Sequence, residues 1–285
     1  MKALSPHWLR TRPSFVLLST LVVLTHSLPA QTENDERQLI ALWKTHTLTT
    51  NQHVQLAERC TKFSQAHPLS PFRVIGESLA AWHFLAAERN KAAATILERI
   101  CSLTAEDSLG RASITQARTW LTRMDHASVK TSLSAYYIDT LEYPETLDPI
   151  LFVKTPPPLK DRWNLPWMYR TVDFQLLKGF NSQRYELESE HLRPRTDLSD
   201  ALSFPYGGRL RLRPIRYMSR AKNKSILEVE VKGSTGRTQV IALTVGSTSD
   251  NISFAYEGQH CIVLSDGDYW HIFPPPADDQ ISEIQ

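Results

Sequence analysis

Glycine is almost missing from the first third of this chain. Only Gly76 precedes Gly110, and between Asp35 and Met124 prolines stand only at Pro68 and Pro71. A stretch that long, without the two residues that most readily turn or break a chain, is committed to helix. The apolar spacing agrees. In "NQHVQLAERCTKFSQAH" the residues Val54, Leu56, Ala57, Cys60 and Phe63 fall near one face at the helical period, and Thr50 or Asn51 is the expected cap ahead of them. "PLSP" ends that helix, "FRVIGESLAAWHFLAAE" starts the next, and Asn90 punctuates before "KAAATILERICSL" and "AEDSLGRASITQARTWLTRM". Ala80, Ala81, Ala87, Ala92 and Ala93 let helices approach closely where they cross. Residues 31–125 are therefore expected to form antiparallel helical hairpins. Two readings stand side by side: tetratricopeptide-like pairs, with one pair over Ala66 to Leu103, or a plain small bundle.

Past Asp200 the period changes to two. "SILEVEVKG" alternates apolar and polar as a half-buried strand does. "TQVIALTVG", "ISFAYEG" and "CIVLSDGDYWHIF" are further strands cut by glycine, and "SDGD" is a hairpin turn in which Asp-Gly supplies the positive φ. Residues 201–275 are expected to be a small all-β barrel or sandwich of five to six strands, and 276–285 a disordered tail. The whole is α+β: helical hairpins, a central helix with a small antiparallel sheet, then the β-module. The net charge of +2 removes the main argument for a nucleic-acid partner. The basic run "GGRLRLRPIRYMSRAKNK" lacks an aromatic stacking series and is read as a solvated strand face.

The first thirty residues read as a targeting segment. Lys2, Arg10 and Arg12 lead into "FVLLSTLVVL", and "THSLPAQ" offers cleavage after Ala30. Ten apolar residues are too few for a span, which needs roughly 20. Residues 1–30 are thus expected to be a secretory signal, with an uncleaved amphipathic anchor as the alternative, and no transmembrane span should remain after its removal. The mature chain is expected in the periplasm or outside the cell. Export permits disulfides. Cys60 and Cys101 both lie in helical sequence and can pair, leaving Cys261; three isolated thiols fit equally. Their spacing matches no metal site.

Between helices and strands, over residues 126–200, a helix carrying Leu133, Tyr136 and Tyr137 is expected to end near Asp139. Tyr143-Pro144 forces an extended turn, because the residue before proline is pushed out of the helical region. Leu147 to Val153 makes a brief return, Pro156 to Pro158 is stiff, and "DRWNLPWMYR" and "RYELES" are read as two strands joined through Gly179 and Asn181. This order resembles the globular part of the type II secretion major pseudopilin. The first block matches at Tyr136, Asp139, Tyr143, Pro144 and Thr146. The second matches at Asp161, Trp163, Pro166 and Tyr169, and the third at Tyr185, Leu187 and Ser189. The resemblance covers about sixty-five residues and implies structural roles: prolines fixing turns, aromatic rings packing the helix onto the sheet. Trp163 is accordingly expected in the core of that strand. The chain departs from the family in lacking a glycine cut site followed by a long apolar helix. It also lacks the calcium loop: Glu190, Asp197 and Asp200 are separated by "HLRPRT", and pairing of these acids with Arg193 and Arg195 is expected in place of a cation.

No catalytic pattern accompanies these blocks. Asp139, Glu142, Glu145 and Asp148 recur every three residues, but Pro144 interrupts them, and helix end plus turn accounts for the series. "GxSxG" and "HExxH" are absent, and His271, near Asp266 and Asp268, is a lone strand histidine read as packed or rim. The expectation is a non-enzymatic exported accessory or structural protein, without cofactor or metal. It would meet protein partners of a cell-envelope secretion or pilus assembly. A secreted hydrolase with no recognisable motif is the alternative.

Overall fold

The computed structural model describes residues 28–48, 52–152, 156–176, 180–192, 197–208, 210–219, 225–233 and 236–276. The leader falls outside them up to residue 27, as do Thr50, Asn51, Val153, Gly179, Arg193, Arg195 and the tail from 277. The chain is α+β. Five helices come first: α1 (Leu28–Leu48), α2 (His53–Ala66), α3 (Arg73–Ala86), α4 (Asn90–Cys101) and α5 (Ser108–Thr140). The cleavage expected after Ala30 lies in the first turn of α1. The N-cap of α2 is Gln52, which makes no side-chain capping bond. Asp107 caps α5 by accepting the Gly110 amide.

Helices α2 to α5 pack each against the next. Where α2 meets α3 the approach is so close that a Cβ on Gly76 would sit 2.5 Å from Ser64 Oγ and 2.8 Å from the Phe63 ring. Gly76 is kept in mid-helix by this contact, against its poor helix propensity. Gly76→Ala is expected to cost about 1–3 kcal/mol by overpacking, measured by urea unfolding; an unchanged midpoint would show that the helices can separate freely. The Ala80, Ala81 and Ala93 of the expected crossing are buried.

A hairpin of β1 (Met168–Leu176) and β2 (Phe180–Glu188) follows, then the single-turn α6 (Leu198–Leu202). Two sheets end the chain: β3 (Arg211–Ser219), β4 (Ile226–Lys232) and β5 (Thr238–Thr244) in one, and β6 (Thr248–Ser249), β7 (Ile252–Glu257), β8 (Ile262–Ser265) and β9 (Trp270–Phe273) in the other. All neighbours are antiparallel, and Leu227, Val229 and Leu243 of one sheet share a core with Phe254, Ile262 and Leu264 of the other. This is a small sandwich with seven strands among the described residues, more than the five to six expected. The basic run supplies the edge strand β3, where Pro214 sits beside a bulge and only Leu212 and Tyr217 are buried. Gly267 takes φ +83° in the β8–β9 turn.

Helices and sandwich share a second core. Leu39, Cys60, Phe72 and Ile75 pack with Ala255, Cys261, Val263 and Trp270. Buried Glu36 on α1 joins the two by accepting from the Tyr256 hydroxyl and the His260 amide, both at 2.7 Å. Cys60, Cys101 and Cys261 are all free thiols, so Cys60 and Cys101 are not bridged. Burial pushes Cys60 and Cys261 up to about 12, which keeps both protonated and inert.

Candidate functional site

The middle module is built on the second half of α5. Val129 and Leu133 face Phe152, Trp167 and Leu187, and the rings of Tyr136, Tyr143, Tyr169 and Tyr185 close over them. The three sequence blocks meet here. The Tyr169 hydroxyl donates to Pro144 O at 2.6 Å, the Tyr143 amide donates to Gln183 Oε1 at 2.6 Å, and the Tyr143 and Tyr185 rings lie edge to face at 4.8 Å. Buried Asp161 accepts the amides of Trp163 (2.9 Å) and Leu165 (3.0 Å) on Oδ1, and the Ser189 hydroxyl on Oδ2 at 2.9 Å. One carboxylate thus both folds a turn and fastens the end of β2 to it.

Other residues of the blocks stay outside. Asp139, Thr146 and Pro166 are exposed, although Pro166 bridges to Lys160. The segment from Asp161 to Trp167 is not strand: it is a turn held by Asp161, with Asn164 at φ +66°, and β1 starts only at Met168. Trp163 is therefore half-buried and stacked on His191 at 4.5 Å, outside the core it was expected to fill. Trp167 occupies that core at 7% exposure and donates from Nε1 to Pro158 O at 2.8 Å. Trp163 and His191 instead line a polar cleft of about 610 Å³ together with Arg123, Asp266 and Asp268. There Asp268 is ion-paired to buried Arg123 at 2.8 Å, and Asp266 meets His271 Nε2 at 3.0 Å while accepting two turn amides.

Several large apolar side chains of the module stand in solvent. Ile138 is 75% exposed, Leu141 75% and Ile150 81%, with Leu151 and Leu159 also open. Leu141 caps α5 in the left-handed region at φ +63°, a position that ordinarily falls to glycine. Asp197 pairs with Lys130 on α5 and caps α6 through Ser199; the arginines expected beside it, Arg193 and Arg195, lie outside the described residues. Burial alone would raise its carboxyl, but the Lys130 and Ser199 hydrogen bonds outweigh it and hold the group near 2.

A second cleft, of about 980 Å³, opens between α1, α3, α5 and the loop after α6. Three histidines that sequence reasoning did not single out form a chain at one wall. His46 Nδ1 lies 2.6 Å from His83 Nε2, and His83 Nδ1 lies 3.0 Å from His53 Nδ1. Burial drives His46 down to about 4 and His83 to about 3, so both are neutral at pH 7. A neutral His83 donates through one nitrogen and accepts through the other, which makes the chain a directional relay. Because His83 uses both nitrogens along the chain, the three rings do not converge on one point. Among the described residues no group of three or more His, Cys, Asp or Glu is placed to hold a metal ion. The three positions come from three helices, so no local spacing advertises them. No family model matches the chain, and no curated protein or solved structure shows significant similarity to it.

Proposed function

We propose that this chain is an exported, non-enzymatic assembly protein of a type II secretion or type IV pilus-like system, acting in the periplasm or outside the cell through protein contacts. One observation carries the reading: the helix-and-hairpin module, whose sequence blocks resemble the major pseudopilin, leaves the large apolar side chains of Ile138, Leu141 and Ile150 in solvent. Exposed apolar side chains that gather into a patch mark interaction sites, and these three are taken to do so. Leu141 adds weight, because a leucine held at positive φ with its side chain in solvent serves the fold poorly.

The partner is taken to be a pilin-type subunit. A photo-crosslinker at position 150 should capture such a subunit in the envelope, whereas one at Leu69, 98% exposed but on the α2–α3 turn, should not. Equal capture from both positions, or none from position 150, would remove the assignment. Leu141→Gly is expected to leave stability unchanged or raise it by up to about 1 kcal/mol, while cutting capture several-fold; loss of stability without loss of capture would mean the leucine serves the fold. N-terminal mapping should find the mature chain starting near Gln31 in a soluble envelope fraction.

A secreted hydrolase is the second reading, favoured by the polar cleft that Arg123, Asp266, Asp268 and His191 line. It predicts an activity lost in Asp266→Asn and untouched by changes at the apolar end.

A further inference from the structure

Two residues that line the 980 Å³ cleft each hold a buried polar atom that the fold does not serve. Among the described residues His46 Nε2 and Trp82 Nε1 have no hydrogen-bond partner, and both side chains line the cleft, at 3% and 5% exposure. Buried polar atoms are satisfied in the great majority of cases, and leaving one alone is costly. Here two occur on neighbouring rings: the His46 and Trp82 rings stand at right angles with centroids 6.0 Å apart. The inner wall beside them is apolar and aromatic, while polar residues such as Glu88, Asn90, Thr131 and Ser203 stand at the exposed rim. Tyr206 meets Trp82 edge to face at 5.0 Å, and Leu85, Leu198, Leu202 and Phe204 add apolar surface.

We propose that this cleft binds an uncharged, mainly apolar ring compound bearing a hydroxyl group, with the hydroxyl seated between Trp82 and His46. The indole N–H can only donate, so the group it meets must accept. His46 Nε2 is a bare acceptor or an N–H donor according to which way the His46–His83–His53 chain is polarised. A hydroxyl answers both cases, since it accepts from Trp82 and either donates to or accepts from His46. A carbonyl answers only one. Charge is disfavoured at either sign. Lys130, the cleft's ammonium, is already paired with Asp197, Glu88 stands at the exposed rim, and burial keeps His46 and His83 neutral, so a charge carried to the inner wall would lie there without a counter-charge. The volume suits a molecule of several fused rings. The proposal is independent of the apolar end of the middle module.

The test uses the full mature chain and a matched series of fluorescent ring compounds: 1-hydroxypyrene, pyrene, 1-pyrenecarboxylate and 1-pyrenylmethylammonium. Saturable one-to-one binding of 1-hydroxypyrene is expected, with each of the other three at least about 10-fold weaker, the worth of one hydrogen bond or one unpaired charge. Trp82→Phe keeps the ring and removes the N–H; it should bring hydroxypyrene down to the affinity of pyrene. Leu202→Trp fills the cleft from its half-buried rim and should abolish binding of the whole series, with an unchanged circular dichroism spectrum as the check on folding. Equal affinities across the series, a hydroxyl preference that survives in Trp82→Phe, binding that survives in Leu202→Trp, or the lack of saturable binding would each overturn the assignment.

Discussion

Acidification from pH 7 to pH 5 should remove about 3–4 kcal/mol of folding stability, a large share of the 5–15 kcal/mol typical of a folded protein. The cause is the buried histidine chain. His46 and His83 have folded values of about 4 and about 3, well below the ordinary 6.5, because burial penalises the charged imidazole and each ring repels charge on its neighbours. Between those values and 6.5 the unfolded chain binds protons that the native state refuses. Depressed histidines therefore contribute stability above pH 6.5 that drains as pH falls. Near pH 5 the difference approaches two protons, about 2.7 kcal/mol per pH unit. His53 and His126, also lowered by burial, act with the same sign. Asp197, held near 2, loses its contribution only below its unfolded value of about 3.9 and stays out of this window. Urea unfolding at pH 7, 6 and 5 measures the slope, and His46→Leu should lower it by about one proton. A flat profile would mean that the histidines are hydrated.

Trp167→Ala should cost about 3–5 kcal/mol, the usual range for truncating a buried aromatic, while Trp163→Ala should cost about 1 kcal/mol, the worth of one ring contact. Trp167 is 7% exposed among Val129, Leu133, Phe152 and Leu187, and its indole N–H is satisfied by Pro158 O. Trp163 stacks on His191 at the mouth of the polar cleft. Paired thermal melts decide the matter, and equal shifts would contradict the placement of the two rings.

Those two tryptophans show where sequence reasoning reached its limit. Strands with a clear period were legible: the β4 burial alternates along Ile226–Lys232 as its residues do. Helix ends with proline or glycine signals were also legible to within a residue or two. The run after Asp161 looked like strand because its apolar residues and Pro166 mimic an edge. Asp161 instead captures two amides downstream and coils the chain, an Asx-type competition that side-chain type alone does not reveal. Four residues of turn then exchange which tryptophan points inward. The histidine chain escaped for a different reason. His46, His53 and His83 become neighbours only when three helices have packed, and no spacing rule spans such separations. Tyr143, Tyr169 and Tyr185 do meet, at 4.8 and 6.2 Å between ring centroids, a long-range pairing that periodicity cannot supply.

Helix α5 runs 33 residues, about 50 Å, and belongs to two bodies at once. Its first half is clamped: Leu109 and Ala112 sit in the helix–sandwich core, Trp120 Nε1 donates to Asp268 O, and Arg123 is ion-paired to Asp268. Its far end carries the aromatic module and the exposed Ile138 and Leu141. In mechanical terms it is a cantilever with a fixed root. Sideways load on Ile138 or Leu141 produces its greatest bending moment at the clamp, near Arg123, rather than in the hairpin where the load is applied.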